Sequence, residues 1–287
     1  MTEQVIVNGI YSGVQYALIA LGLTLIFALM NVLNFAHGQM YVLGAFVTYY
    51  VYGVLGLPFW LALVATALTL GIVGVLFEKF LFRPVLRRSS REESSMLLAA
   101  GTALLLESLI LIVFGEKHRG VPSVVSGVIK IGDAYLPMGR LLVIVLSAIL
   151  IGGFILFMQY TKPGRALRAL AQDREAAQLQ GVDVGTYSMI GFAMGAMLAG
   201  MAGAMLVAIS GVNSGLGTWI SIKAFIMVMI GGAGVVSGAI VGGLILGMIE
   251  SIGYQMLPGG ETYLFIFIGL IIFLAIRPHG LMGKPWG

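Results

Sequence analysis

Two glutamates, Glu107 and Glu250, stand inside long apolar stretches of this sequence. Keeping a carboxylate charged in lipid is expensive, so each is a candidate ion or solute site. Either could instead be protonated and hydrogen-bonded to a neighbouring helix, and for Glu250 this second interpretation is favoured. Lys223 stands in another apolar stretch. Its long side chain could reach the membrane interface, or it could meet a solute carboxylate or one of these glutamates.

A second group of polar residues interrupts the apolar sequence in LNFAHGQMYVLGA, residues 33 to 45. If this part is helical, Asn31, Asn34 and His37 share one side, because they are spaced three apart. Together with Gln39 and Gly38, they predict a break in a membrane helix that lines a cavity, since polar groups facing lipid are costly. A capped and satisfied turn between two spans is the equal alternative.

The residue types do not indicate a metal site, a disulfide or a phosphate-binding loop. The three histidines, His37, His118 and His279, have no carboxylate pattern beside them, and there are 0 cysteines, so a metal site or a disulfide is not expected. The phosphate-loop pattern GxxxxGK[ST] is absent from the sequence. We therefore predict no catalytic residue, no metal and no cofactor on this chain.

The elements that carry these residues are membrane helices. Of 287 residues, 59% are hydrophobic and 10% are charged, far from the composition of a soluble domain. Apolar runs long enough to cross a bilayer must be helical, because lipid offers the backbone no hydrogen bonds. The sequence predicts an all-α, polytopic protein of one membrane domain, 1–287, with about nine apolar segments: 5–30, 40–57, 59–82, 95–115, 139–160, 186–210, 219–233, 236–256 and 261–276.

One of these segments is short. Residues 219–233 favour a half-helix that ends at the glycines around Gly234, where a second solute-handling break is expected.

The charged breaks predict the orientation, because lysine and arginine concentrate on the cytoplasmic side. Cytoplasmic loops are expected at about 83–94 and 161–185, and an outer loop at about 116–138. The N-terminus is then outside and the C-terminus cytoplasmic. The predicted orientation rests on the basic residues Lys79, Arg83, Arg87, Arg88, Arg91, Lys162, Arg165, Arg168, Arg174, Arg277 and Lys284. The net charge of +4 is explained by these loops, so binding to nucleic acid is not expected.

Small residues recur every four positions at Gly191, Gly195, Ala199 and Gly203, and again at Gly234, Gly238 and Gly242, with Gly243 and Gly247 on an adjacent line. This spacing places them on one helix face and favours close helix packing. A glycine-lined pore is the alternative.

Residues 164–182, GRALRALAQDREAAQLQGV, are too polar for lipid and rich in strong helix formers. Arg165, Arg168, Gln172 and Glu175 share one face, while Leu167, Leu170, Ala171 and Ala177 fall largely on the other. One or two short amphipathic helices are predicted in the cytoplasm. They either lie on the membrane surface or dock a cytoplasmic partner.

Four stretches together resemble the LivH-type permease subunits of ABC importers for branched-chain amino acids and related solutes: LNFAHGQ at 33–39, GRALRALAQDREAAQLQGVDV at 164–184, KAFIMVMIGGAGVVSGAIVGG at 223–243 and RPHGLMG at 277–283. The resemblance covers nearly the whole chain. It implies a multi-pass permease of the bacterial inner membrane that moves amino acids inward by alternating access.

The resemblance also implies the partners. They are a second, LivM-like permease subunit, two cytoplasmic ATPase subunits that carry the ATP and magnesium, and a periplasmic solute-binding protein, with membrane lipid around the permease. It implies that the ATPase-coupling residues are Arg165, Arg168, Asp173, Arg174, Glu175 and Gly181. The residues proposed for the solute pathway are Asn34, His37, Gln39, Glu107, Lys223 and Gly234.

The sequence departs from the family at three places. Gln39 stands where glutamate is frequent, Val235-Val236-Ser237 replaces a common Ser-Leu-Pro, and Met282 replaces a frequent phenylalanine. The first two changes bear on which solute is transported more than on the fold. The alternative functions are a stand-alone transporter coupled to H⁺ or Na⁺ through Glu107, and a membrane scaffold without transport.

Overall fold

The computed structural model describes residues 2–88, 92–257 and 259–283, most of which are helical. The helices are α1 (Thr2–Met30), α2 (His37–Thr48), α3 (Phe59–Phe77), α4 (Arg83–Arg88), α5 (Glu92–Phe114), α6 (Met138–Tyr160), α7 (Lys162–Gln172), α8 (Arg174–Leu179), α9 (Val184–Ser210), α10 (Leu216–Gly231), α11 (Val236–Met256) and α12 (Gly259–Ile276). Two π-helical turns, Tyr49–Val54 and Glu78–Phe82, extend α2 and join α3 to α4. Arg91 and Lys284, from the predicted basic breaks, lie outside the described residues.

Each predicted apolar segment overlaps a helix, and the chain is a polytopic, mostly helical membrane protein, while the number of nine membrane segments stays a prediction. Among the described residues, six helices are long and apolar enough to cross a membrane: α1, α3 with its continuation to Leu86, α5, α6, α9 and α11. The helices α2, α10 and α12 are shorter. The predicted half-helix corresponds to α10, whose 16 residues end at Gly231. The next residue, Gly232, has a φ of 108° that favours glycine.

The core is built around α1, which packs along α11 and α9 through small residues. A Cβ on Gly22 would lie 2.6 Å from the Gly195 carbonyl oxygen, and a Cβ on Gly195 would lie 2.7 Å from that of Gly22. Gly243 and Gly247 lie against Ala17 and Gly13 in the same way. The four-residue spacing therefore marks helix interfaces, as predicted.

The two ends of the bundle differ. At one end a hairpin of β1 (Val128–Ile131) and β2 (Ala134–Pro137) lies between α5 and α6, and Gln4 of α1 accepts a hydrogen bond from the Tyr135 amide at 2.8 Å. At the other end Gly191 of α9 lies against Leu29 of α1 and Leu167 of α7. We call these ends the hairpin face and the α7–α8 face.

The hairpin was missed by the sequence analysis, which predicted only helices and loops. Ile131 pairs with Ala134, so Gly132 and Asp133 form a two-residue turn, with Gly132 at a φ of 60°. A Gly-Asp pair between short apolar runs is a known signal for such a turn.

The chain between α1 and α2 does not continue as a helix. Asn31 has a φ of 51°, in the left-handed region, and residues 31–36 return into the bundle before α2 begins. The predicted helical alignment of Asn31, Asn34 and His37 is therefore wrong. The ring of His37, the first residue of α2, lies with Nε2 3.0 Å from the carbonyl oxygen of Ile19, about two-thirds of the way along α1.

Candidate functional site: a polar junction of interrupted helices

The first turn of α2 meets α10 inside the bundle. The Gly38 amide donates to Ser221 Oγ at 3.0 Å, and the Ser221 hydroxyl donates to the Phe35 carbonyl oxygen at 2.8 Å. Ser221 thus satisfies one of the amide groups that every helix N-terminus leaves without an intrahelical partner. A Cβ on residue 38 would collide with the Gly217 carbonyl oxygen, so glycine is needed for this close approach.

One residue further along α2, a second polar contact joins three helices. Gln39 Nε2 donates to Glu107 Oε2 at 3.3 Å, and the Thr218 hydroxyl donates to the same oxygen at 2.9 Å. Gln39 is buried, and Glu107 is half-buried. We call Gln39, Glu107, Thr218 and Ser221 the polar junction, because it is where α2, α5 and α10 meet.

A cavity of about 350 Å³ opens beside the polar junction towards the hairpin face. It is lined by Glu107, Leu111, Glu116, Asn213, Ser214 and Gly215. Glu107 therefore belongs both to the cavity wall and to the polar junction. Because Glu107 lies seven residues before Phe114, the last residue of α5, it is about 10 Å below that end of the helix.

Asn34 and His37 lie beside the polar junction without belonging to it. Asn34 Oδ1 accepts a hydrogen bond from the Ala36 amide at 3.1 Å, which makes it part of a capped turn. Its Nδ2, and Nδ1 of His37, are buried with no hydrogen-bond partner among the described residues. The turn is therefore capped but not fully satisfied, and that this break lines a cavity stays a prediction.

Lys223 lies in a different cluster. Its Nζ is 2.8 Å from Glu250 Oε1 and 2.6 Å from the Tyr16 hydroxyl oxygen, and it stands over the rings of Tyr16 and Tyr263. Tyr16, Tyr254 and Tyr263 all donate hydrogen bonds to the Glu250 carboxylate. Of the alternatives for Lys223, the structure shows the ion pair with a glutamate.

Gly234 is also separate from the polar junction. It lies between α10 and α11 with a φ of 81°, next to Phe27 and Ala28 near the end of α1 on the α7–α8 face. Among the six residues proposed for the solute pathway, the structure brings Gln39 and Glu107 into direct contact.

The predicted amphipathic segment is two helices. Thr161 caps α7 by accepting from the Gly164 amide at 3.0 Å, and Asp173 ends α7 and caps α8 by accepting from the Ala176 amide at 2.9 Å. Leu167, Leu170 and Ala177 are buried as predicted, whereas Ala171 is exposed. The six predicted coupling residues are all exposed: Arg165, Arg168, Asp173, Arg174, Glu175 and Gly181.

The helix that follows, α9, is anchored on this face by Asp183 and Arg83. Asp183 Oδ1 accepts from the Gly185 and Thr186 amides at 2.9 and 3.3 Å. The hydrogen bond from the Thr186 hydroxyl, followed by these amides, lowers the pKa of Asp183 below its usual value. Arg83 forms an ion pair with Glu78 and donates to the Gly185 carbonyl oxygen at 2.7 Å, which ties α9 to the π-helical turn before α4.

Sequence reasoning missed Thr218 and Ser221 of the polar junction and Tyr16, Tyr254 and Tyr263 of the cluster around Glu250. Threonine, serine and tyrosine are common in membrane helices, so their types carry little signal. The one signal available for Thr218 and Ser221 is that they stand in the short segment beside Lys223. Among the described residues, no group of three or more metal-ligating side chains was found.

Interrupted helices that meet around polar groups inside a membrane bundle are a feature of many membrane transport proteins. Residues 5–276 match the family described as branched-chain amino acid transport system / permease component. The chain belongs to this permease family.

Three relatives illustrate the similarity over nearly full length. The permease protein BraD of Pseudomonas aeruginosa, from a high-affinity branched-chain amino acid transport system, is 29% identical over 98% of this chain and 96% of its own. LivH of Escherichia coli K12 is 30% identical over 97% and 94%. A probable LivH of Methanocaldococcus jannaschii is 31% identical over 99% and 94%. Nothing in these similarities supports an ion-coupled transporter.

Proposed function

We propose that this chain is the membrane-spanning permease subunit of an ABC importer in the cytoplasmic membrane of a bacterium. It moves amino acids inward by alternating access, with branched-chain amino acids as the first expected solutes. The chain carries no catalytic residue, and ATP is hydrolysed on two partner ATPases. A second, LivM-like permease and a periplasmic solute-binding protein complete the importer.

The proposed orientation places the α7–α8 face in the cytoplasm and the hairpin face outside. Lys162, Arg165, Arg168 and Arg174 all belong to α7 and α8, which supports a cytoplasmic location for them. The N-terminal end of α1 contacts the hairpin, so it lies outside in this orientation. All nine predicted segments cross or enter the membrane in the proposed topology.

The observation that carries the proposal is how α7 and α8 pack against the helix bundle. Their apolar residues Leu167, Leu170 and Ala177 pack on the bundle, while their charged residues remain exposed. Because Leu167 and Leu29 both contact Gly191, a displacement of α7 passes directly to α1 and α9.

Charge reversal on this surface tests the docking of the ATPases. The double substitution Arg168→Glu and Arg174→Glu should weaken ATPase association about tenfold or more, since hydrogen bonds to charged groups contribute about 1.5–3 kcal/mol each. The measurement is co-purification of the ATPases with the permease pair, together with leucine uptake by proteoliposomes. Arg277→Glu is the matched control, because Arg277 is exposed on the same face after α12.

Two outcomes would contradict the proposal. One is undiminished ATPase association and uptake in the double variant. The other is solute movement by the purified chain in liposomes under an ion gradient, without any ATPase.

A further inference from the structure

The motif RPHGLMG, residues 277–283, carries part of the family resemblance, and the proposed function gives it no role. We call these residues the terminal segment. The carbonyl oxygen of Arg277 accepts a hydrogen bond from the Gly280 amide at 3.1 Å, which closes a turn directly after α12. Pro278 stands at the second position of this turn, where the fixed φ of proline is favourable. The turn brings the chain back onto the end of α10.

The end of α10 needs hydrogen-bond donors from elsewhere in the protein. The last four carbonyl groups of a helix have no intrahelical partner. With 16 residues, α10 is about 24 Å long, too short to cross a hydrocarbon core of about 30 Å. Ile230, Gly231 and Gly232 at this end are buried. The protein itself therefore has to supply the missing donors.

The terminal segment supplies two of these donors. The Leu281 amide donates to the carbonyl oxygen of Ile230 at 2.9 Å, and the Met282 amide donates to that of Gly231 at 3.0 Å. A third carbonyl group, that of Val228, accepts from the Gly232 amide at 2.8 Å. The buried end of α10 thus depends on the terminal segment for two of its last carbonyl groups.

Glycines allow the terminal segment to approach α10 this closely. Gly280 has a φ of 72°, and a Cβ there would lie 2.6 Å from both the Met229 carbonyl oxygen and the Gly232 amide nitrogen. A Cβ on Gly283 would collide with the His279 carbonyl oxygen. These neighbours are backbone atoms, which no change of rotamer can move.

The side chains of the two donor residues take little part in this contact. Leu281 is 39% exposed and Met282 is 46% exposed. Because the backbone makes the contact, it does not depend on which side chain stands at either position. Methionine in place of the frequent phenylalanine at position 282 is therefore compatible with the same contact.

We propose that the terminal segment is a positioning element for transport, in which the Leu281 and Met282 amides hold the buried end of α10 and thereby keep Thr218 and Ser221 in the polar junction. At the start of α10, Ser221 bonds to α2 and to the chain before it, and Thr218 bonds to Glu107 of α5. A helix held at only one end is free to tilt, which would separate Thr218 from Glu107. The inference rests on the proposed function, because transport is the activity that this positioning serves.

Two substitutions at position 282 separate the backbone from the side chain. Met282→Pro removes the amide donor, whereas Met282→Ala keeps it and removes most of the side chain. The measurement is leucine uptake by proteoliposomes that contain the complete importer. Uptake should fall about tenfold or more in Met282→Pro, since a buried carbonyl group loses its partner, and stay within about twofold of wild type in Met282→Ala. Equal uptake by the two variants would overturn the proposal.

A glycine pair tests the same contact without proline. Gly280→Ala should lower uptake, because its Cβ would meet the backbone of α10 at a φ that alanine rarely adopts. Gly269→Ala in α12 is the matched control, because a Cβ there would have no neighbouring atom within 4 Å. Uptake by Gly280→Ala as high as that of Gly269→Ala would contradict the proposal.

A spectroscopic measurement distinguishes positioning from a local cap. Trp219 lies in the first turn of α10, is 55% exposed, and is about 18 Å from Gly231 along the helix. Because the chain has 0 cysteines, Trp219→Cys can carry a single nitroxide, with partner subunits made free of cysteine. The nitroxide should become more mobile in the Met282→Pro background and not in the Met282→Ala background. An unchanged spectrum in Met282→Pro would reduce the terminal segment to a local cap and overturn the positioning role.

Hydrogen exchange on the wild-type importer keeps the inference testable if Met282→Pro does not assemble. The amides of Leu281 and Met282 should exchange at least about 100-fold more slowly than those of an unstructured peptide, because they are bonded to the buried end of α10. Exchange at the rate of an unstructured peptide would overturn the proposal. Absence of ATP-driven uptake by the wild-type importer would instead overturn the proposed function and leave the exchange result standing, so the two failures are distinct.

Discussion

Lys223 and Glu250 form an ion pair with little access to solvent, since their side chains are 15% and 6% exposed. Removing one partner of a buried pair leaves an uncompensated charge, whereas replacing both by apolar residues of similar size is often tolerated. The pair joins α10 to α11, and the tyrosines around it come from α1, α11 and α12. The pair and its tyrosines therefore link four helices.

We expect Glu250→Leu to destabilise the protein by about 3–5 kcal/mol, because Lys223 loses its counter-charge. The double substitution Lys223→Met with Glu250→Leu should recover most of this loss. Thermal unfolding in detergent, followed by light scattering, measures both. A double variant no more stable than Glu250→Leu would show that the charge is not the cause.

The sequence could identify these two residues but not their pairing. They are 27 positions apart on different helices, and the pair forms only because α10 and α11 pack antiparallel at Gly231 and Gly238. The same limit applies to Gln39 and Glu107, whose contact depends on where α2 begins. From the residue type one can predict that a polar group in lipid needs a partner. Which partner it has depends on how each helix is rotated about its axis in the packed bundle.

At the level of helices and strands, the contact between α2 and α9 depends on Gly203. A Cβ on this residue would collide with the carbonyl oxygen of Tyr41, a backbone atom that cannot move by a change of rotamer. Gly152 in α6 serves as the control position. It is also a helical glycine, but a Cβ there would have no neighbouring atom within 4 Å.

Gly203→Ala should therefore destabilise the protein by about 1–3 kcal/mol, the usual cost of overpacking. Gly152→Ala should be neutral or stabilise it by about 0.5–1 kcal/mol, because alanine is the better helix former. Melting temperatures of the two variants in the same detergent give the comparison. Equal shifts for both would argue against close packing at Gly203.

Hydrophobic runs predicted the long apolar helices, because lipid demands continuous apolar surface and complete backbone hydrogen bonding, whereas amphipathic spacing predicted α7 and α8. They did not predict that α2 begins inside the bundle, since residues 33–36 are nearly as apolar as their neighbours. The left-handed Asn31 and the return of residues 31–36 depend on contacts with α1 and α10. Those contacts are long-range and have no local pattern.

For the whole molecule, the proposed orientation can be tested with single cysteines, because the chain has 0 of its own. Lys130 is exposed in β1 on the hairpin face, and Gln178 is exposed in α8 on the opposite face. A membrane-impermeant maleimide should label Lys130→Cys in intact spheroplasts and Gln178→Cys only in inside-out vesicles. Both should react in detergent, and the unsubstituted chain should not react.

The reverse labelling pattern would invert the topology and place α7 and α8 outside, where no ATPase could reach them. Charge in the loops made this orientation predictable, since it depends on the number of lysines and arginines and not on packing. The shape of the cavity was not predictable in this way. It requires α5, the residues before α10 and the polar junction to be placed together.

The hydrogen bonds of Ser221 have a mechanical consequence. Its hydroxyl accepts from Gly38 and donates to Phe35, so one atom of α10 holds the chain on both sides of the start of α2. The starts of α2 and α10 are thereby held together, with their backbones in close contact at Gly38 and Gly217. In an importer that works by alternating access, as proposed above, the starts of α2 and α10 are therefore expected to move together, and the contacts of Glu107 join this pair to α5.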